Sequence, residues 1–316
     1  MDEAIRTSML TKRFGDITAV NGMDLSVKKG TIFGLVGPDG AGKTTTIRIL
    51  CGILLPDEGE AFVGGYNTVA QAEQLKEYIG YMPQRFSLYG DLTVMENLEF
   101  YAEIYQVPRR VRRERIKELL AFSDLAAHVG KLADQLSGGM KQKLALSCNL
   151  IHTPEYLFLD EPTTGVDPVA RREFWKILFG LKNQGTTIFV STPYMDEAER
   201  CDEVGLMYNG DIIRLDKPEN MIKGFERELL SVSVDNIFKA RDYAGELPYV
   251  EDVYIYGEEL HIIVSDFNYA RDRLALDFGD KNIKTFDIKK ISPSLEDVFI
   301  TSVREMKKDM EVRRGA

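Results

Sequence analysis

Gly37-Pro38-Asp39-Gly40-Ala41-Gly42-Lys43-Thr44-Thr45 follows the apolar run Thr31-Ile32-Phe33-Gly34-Leu35-Val36 and precedes Thr46-Ile47-Arg48-Ile49-Leu50, whose spacing suits a helix. Strand, glycine-rich turn and helix in this order are the setting in which G-x-x-x-x-G-K-[ST] folds as a phosphate-binding loop. Glycine lets the backbone bend so that successive N–H groups and the positive end of the following helix face a polyphosphate. Lys43 adds mobile positive charge and Thr44 a hydroxyl suited to Mg²⁺. The plainer alternative, a glycine-rich turn with a solvated lysine, explains neither the strand before it nor the helix after it. The segment predicts a nucleoside triphosphate site.

With 316 residues, 44% of them hydrophobic and 28% charged, the chain can bury a full core and more than one domain. A formal net charge of −10 argues against general nucleic-acid binding, which draws on excess Lys and Arg, while leaving room for a local basic face. No run approaches the roughly 20 apolar residues that span a bilayer, and Met1-Asp2-Glu3-Ala4-Ile5-Arg6 lacks a signal pattern, so a soluble chain is expected. Cys51, Cys148 and Cys201 are widely separated and form no metal-ligand spacing, as expected of reduced cytosolic thiols that serve packing.

Ala4 to Leu10 and Thr18 to Val27 read as strands, with Phe14-Gly15-Asp16 and Lys28-Lys29-Gly30 as turns, and Glu58 to Val63 as a further strand. From Glu96 to Ala127 the pattern turns helical, with Leu98, Tyr101, Ala102 and Tyr105 on one face and Ile116, Leu119 and Leu120 on another. Alternation resumes with strand Tyr156 to Leu159, helix Ala170 to Leu181, strand Thr186 to Ser191, helix Asp196 to Cys201, and a hairpin turning at Asn209-Gly210. Such succession implies a mainly parallel sheet covered by helices. After Gly224 the elements read β-α-β-β-α-β, the order of a small ferredoxin-like domain.

Tyr156-Leu157-Phe158-Leu159-Asp160-Glu161 is an apolar strand ending in two carboxylates, at the sheet edge where phosphate loops lie. Asp160 is suited to Mg²⁺ and Glu161 to orienting the water that attacks the terminal phosphate. Alone, two acids that close a buried strand would be an equal reading; the upstream loop favours the catalytic one. Leu136-Ser137-Gly138-Gly139-Met140 opens a further helix capped by Ser137 or the glycines, either a plain helix start or, through its unsatisfied N–H groups and dipole, a second anion site.

With Gln84 and Gly165-Val166-Asp167, these motifs stand in an order that resembles the ATP-binding cassette family, the nucleotide-binding subunits of ABC transporters. The resemblance covers residues 5 to 222 and implies an α/β fold: a P-loop NTPase core of the ABC type with an antiparallel β subdomain and a helical subdomain. The expected division is 1-224 for this ATPase, its helical subdomain at about 85-150, and 225-316 for a small C-terminal α+β domain. It implies ATP and Mg²⁺ as ligands. Phe14 would stack on adenine, Gly37 to Thr45 would wrap the phosphates, and Thr44, Gln84 and Asp160 would hold or approach the metal. Glu161, Gln84 and Lys43 would serve hydrolysis. Ser137, Gly138 and Gly139 would meet the terminal phosphate of a nucleotide held by a second cassette, with Asp167 crossing the dimer interface. A separate integral membrane subunit would carry the substrate, and the chain would sit on the inner face of the cell membrane.

One departure stands out. The family has histidine where Ser191-Thr192-Pro193-Tyr194 has Pro193, which has no side-chain donor for the phosphate or for Glu161, so slower hydrolysis is expected. Met140 in place of the usual glutamine is milder. Ser292-Pro293-Ser294-Leu295-Glu296-Asp297-Val298-Phe299 resembles the ending of antibiotic and multidrug export cassettes, although Ser-Leu-Glu-Asp also reads as a helix cap. Arg109, Arg110, Arg112, Arg113, Arg115 and Lys117 form a basic cluster, either a solvated face or a contact for anionic lipid or an acidic loop. Phe86-Ser87-Leu88-Tyr89 is expected to dock the membrane subunit, with core packing as the rival for Phe86 and Tyr89. A weakly hydrolysing regulatory cassette and a soluble cassette unconnected with transport are the alternatives to an export ATPase.

Overall fold

The computed structural model describes residues 3–85 and 88–315, with side chains up to residue 308. The chain forms two compact units, with divisions after Pro218 and after Thr301. The expected boundary at 224 lies a few residues past the first division.

In the first unit, β1 (Glu3–Phe14) and β2 (Ile17–Lys28) are followed by β3 (Ile32–Val36), the phosphate loop and α1 (Lys43–Leu50). Next come β4 (Glu58–Val63), β5 (Tyr66–Asn67), α2 (Ala72–Leu75) and β6 (Ile79–Met82). The helical part holds α3 (Val94–Ile104), α4 (Arg109–Phe122) and α5 (Gly138–Leu150). Then follow β7 (Tyr156–Asp160), α6 (Pro168–Asn183), β8 (Thr187–Thr192), α7 (Met195–Ala198), β9 (Glu203–Tyr208) and β10 (Asp211–Asp216); α8 (Pro218–Lys223) starts at the division and opens the second unit.

Two sheets organise the first unit. An antiparallel sheet has the order β2-β1-β4-β5, and a six-stranded sheet has the order β10-β9-β3-β8-β7-β6, parallel except for β10. β3, β7 and β8 are buried along their whole length, as strands covered on both faces must be. Ile5, Leu10, Val20, Phe33, Ile47, Leu50, Phe158 and Phe189 share one core that joins both sheets to α1. β6 was not foreseen: Ile79-Gly80-Tyr81-Met82 is too short to display a period, and its pairing with β7 makes it a strand. A Cβ at Gly80 would meet Asn149 O, Leu157 and Pro154 at 3.1 Å, so glycine admits this close approach.

The helical stretch expected from Glu96 onward separates into α3 and α4. Gln106 takes φ +52° and Pro108 precedes α4, which ends the first helix and starts the second. Thr93 and Glu96 form a capping box at the start of α3.

The second unit contains β11 (Glu228–Val234), α9 (Ile237–Ala244), β12 (Val250–Tyr256), β13 (Glu259–Val264), α10 (Phe267–Asp280) and β14 (Thr285–Ile291). Its sheet is antiparallel with order β12-β13-β11-β14, the ferredoxin-like arrangement. Leu230, Val232, Leu260, Ile262, Leu274 and Phe278 pack the helices on one face. Helix α11 (Leu295–Gly315) begins in this unit, where Ser294 and Asp297 cap it reciprocally. The buried Asp297 carboxylate also accepts from Tyr254 Oη at 2.6 Å and lies 2.7 Å from His261 Nδ1.

Candidate nucleotide site

The phosphate loop is fixed by its surroundings. Gly40 and Gly42 adopt φ +78° and +112°, and a Cβ at Gly42 would lie 2.0 Å from Ala19 O. One at Gly37 would lie 2.1 Å from Met207 O, so β2 and β9 press on the loop from different sides. Gly210, in the β9–β10 turn, donates to Ala41 O and accepts from Asn21 N. Pro38, Asp39 and Gly40 are exposed, Ala41 is buried, and Thr44 and Thr45 are half-buried at the start of α1. The first turn of α1 has no acidic residue, which leaves its positive end open to an anion.

Lys43 is buried and its Nζ donates to Gly37 O at 2.8 Å and Pro38 O at 3.0 Å. The same ammonium pairs with Glu161 Oε1 at 3.1 Å. Gln84 Nε2 donates to Glu161 Oε2 at 2.9 Å, and Thr164 Oγ1 donates to that oxygen at 3.3 Å. Thr44 Oγ1 donates to Asp160 Oδ1 at 3.1 Å. Lys43, Thr44, Gln84, Asp160 and Glu161, expected from the sequence to act together, are thus linked by direct contacts.

Asp160 Oδ1 also accepts from Ser191 Oγ at 2.6 Å, because β7 and β8 put Asp160 and Ser191 in register. Asp160 Oδ2 is buried and has no hydrogen-bond partner among the described residues. An orphaned carboxylate oxygen beside a threonine hydroxyl is a donor set suited to a hard divalent cation such as Mg²⁺.

Ser191 had drawn no separate role from the sequence, nor had Glu197. The Glu197 carboxylate is fully buried and accepts from Thr163 Oγ1 at 2.5 Å and Thr192 Oγ1 at 2.7 Å, with Arg171 Nε at 3.4 Å. It ties the segment after Glu161 to the one that carries Pro193. Arg171 also stacks on Tyr194, 4.2 Å from the ring centre. An acid four residues after Pro193 in a short amphipathic turn was the only local signal.

Phe14 stands half-exposed where β1 turns into β2, with Lys12 Nζ 5.6 Å from its ring centre. Ser137 is the N-cap of α5, accepting from Met140 N at 3.3 Å, and is exposed together with Gly138. Among the described residues, no hydrogen bond links Ser137, Gly138 or Gly139 to the phosphate loop. Gly139 is buried, and a Cβ there would lie 2.5 Å from Ala170 Cβ, so this glycine lets α5 approach α6. Phe86 and Ser87 lie outside the described residues; Tyr89 is partly exposed and packs edge-on against Phe100 at 4.5 Å. Among the described residues, no helix is long and apolar enough to cross a membrane.

Residues 20–164 match the family described as ABC transporter. The chain is 44% identical over 220 residues, 70% of its length, to the probable multidrug ABC transporter ATP-binding protein YbhF of Escherichia coli, and spans only 38% of that protein. It is 37% identical to the Nod factor export ATP-binding protein I of Rhizobium etli, covering 96% of this chain and 95% of that one. With the daunorubicin resistance ATP-binding protein DrrA2 of Streptomyces coeruleorubidus it shares 33% identity across 99% of both. Among solved structures, cbiO1 from Clostridium perfringens, part of the ABC transporter complex cbiONQ, aligns with TM-score 0.66 and 26% identity over 78% of this chain and 97% of that one. The dimeric cassette MJ0796 bound to ADP and Pi aligns with TM-score 0.61 and 26% identity over 67% and 98%. With a phosphate loop, an Asp-Glu strand end and relatives matched along nearly their whole length, the chain belongs to the ABC transporter family of ATP-binding proteins.

Proposed function

We propose that this chain is the ATP-hydrolysing subunit of an exporter, driving efflux of an organic substrate through a separate membrane subunit by closure of two cassettes around nucleotide. The observation that carries the reading is the linked set of Lys43, Thr44, Gln84, Asp160 and Glu161. The names of the multidrug, Nod factor and daunorubicin relatives support export.

Entering phosphate competes for Lys43, whose ammonium has, among the described residues, loop carbonyls and Glu161 to give up. The loop N–H groups and the open end of α1 take the remaining phosphate charge. Glu161, still oriented by Gln84 and Thr164, then accepts a proton from the attacking water. Thr44 and Asp160 would hold Mg²⁺, which when bound neutralises charge on the transferred phosphate. One phosphate loop covers one side of the triphosphate. The exposed Ser137 and Gly138 of a second cassette, at the start of its α5, complete the enclosure and make closure depend on nucleotide. Phe14 offers its ring to adenine.

Steady-state ATPase of the purified chain tests the residue roles. Glu161→Gln is expected to cut turnover by at least about 100-fold, the scale of a lost general base, while ATP binding persists. Unchanged turnover would remove Glu161 from that role. Copurification with an integral membrane protein tests the transport assignment, and its consistent replacement by ribosomes or DNA would reject it.

Pro193 favours a second reading, a regulatory cassette that binds ATP and turns it over slowly. Its ring has no donor, and Thr192 and Glu197 beside it are engaged with each other.

A further inference from the structure

Helix α4 turns Ile116, Leu119 and Leu120 inward, and along it Arg109, Arg110, Arg112, Arg113, Arg115 and Lys117 outnumber the exposed acids Glu114 and Glu118. Arg109, Arg110, Arg112 and Arg113 crowd its start, and its first turn contains no acid. That end of a helix already carries about half a positive charge from unpaired N–H groups, so the arrangement opposes the helix it sits on. A chain with net charge −10 had ample acids to place there.

Arg112 is engaged, donating to Glu103 Oε2 at 2.7 Å and to Val107 O at 2.9 Å. Arg109, Arg110 and Arg113 are exposed, with no ion pair or hydrogen bond among the described residues. Lys117 is exposed too, 3.8 Å from Glu114. Arg109, Arg113 and Lys117 follow one another at intervals of four, so they form a stripe about 12 Å long on one helix face. Val111, 40% exposed, falls on a different side of the helix from the Arg109, Arg113 and Lys117 stripe, and Ile104 at the end of α3 is 55% exposed.

We propose that this face of α4 rests on anionic phospholipid headgroups. Guanidinium groups bind phosphate through paired N–H donors, and a plane of phosphodiesters would satisfy Arg109, Arg110 and Arg113 together. Anionic headgroups also add to the negative charge that Glu103 brings to the start of α4. The inference rests on the proposed function only in setting the chain beside a bilayer.

Cosedimentation of the purified full-length chain with vesicles tests it, using phosphatidylcholine alone against phosphatidylcholine with about one third phosphatidylglycerol at about 0.1 M salt. Capture is expected only by the anionic vesicles, with release as salt approaches about 1 M. The triple variant Arg109→Gln, Arg110→Gln, Arg113→Gln should partition about 100-fold more weakly. These residues lie outside the nucleotide site, so ATPase should hold, and thermal stability should hold or rise. No capture, or equal capture of the variant, would overturn the proposal. So would binding of polyglutamate through the same arginines without vesicle capture, which would assign the face to an acidic protein. Failure here with ATPase intact leaves the proposed function standing; absent ATPase with vesicle capture intact does the reverse.

Discussion

Glu161 accepts at both of its oxygens, from Lys43 at one and from Gln84 and Thr164 at the other. Its backbone sits at φ +49°, a left-handed conformation that costs a non-glycine residue about 1–3 kcal/mol and persists where the surroundings impose it. Two β8 contacts impose it here: Glu161 N donates to Ser191 O and lies 3.1 Å from Ser191 Oγ. None of these donors comes from position 193. Pro193→His is therefore expected to raise steady-state hydrolysis about tenfold, the worth of one hydrogen bond of about 1.4 kcal/mol made to the transition state. No gain in turnover, with ATP affinity unchanged, would detach slow hydrolysis from Pro193. That Lys43, Thr44, Gln84, Asp160 and Glu161 come together was legible because each lies in a short local pattern. Ser191, Thr164 and Glu197 were not, since their partners are set by strand register and by a packed turn, neither of which leaves a spacing in the sequence.

At the scale of elements, the phosphate loop, the strands that alternate with helices and the Asn209-Gly210 hairpin follow from local pattern, and Asn209 and Gly210 do take φ +49° and +89°. β6 escaped because its four residues owe their conformation to β7 rather than to their own composition. Gly139 matters for packing as well as for its motif. Gly139→Ala would set a methyl group 2.5 Å from Ala170 Cβ, so α5 and α6 must separate, at about 1–3 kcal/mol. Thermal denaturation measures this loss, and the double variant Gly139→Ala, Ala170→Gly is expected to recover part of it. Phe158→Ala opens a void where Phe158 meets Phe189 at 5.8 Å between ring centres in the shared core. Chemical denaturation should register about 3–5 kcal/mol.

Over the whole molecule, the ferredoxin-like unit was legible from its βαββαβ order, while the buried cluster that anchors α11 was not, because Tyr254, His261 and Asp297 come from three separate elements. Burial pushes the Asp297 carboxyl up, but hydrogen bonds from His261, Ser294 and Tyr254 together outweigh it and bring it down to about 2. A carboxyl lower in the folded than in the unfolded state stabilises above the unfolded value near 4, and this contribution is lost as pH falls toward 2. Unfolding measured from about pH 5 to about pH 2 should thus show about 1–2 kcal/mol of acid-dependent loss that Asp297→Asn removes, with the variant already less stable at pH 7. An unaltered acid profile in the variant would assign the loss to other carboxylates. In the first unit, the phosphate loop is wedged by Ala19 of β2, by Met207 of β9 and by Gly210 after it. A seat braced by strands of two different sheets cannot recoil when a charged guest arrives. The Gln84 amide on Glu161 is a tether from that seat to another part of the chain, and a phosphate that draws Lys43 off Glu161 is expected to be felt there first.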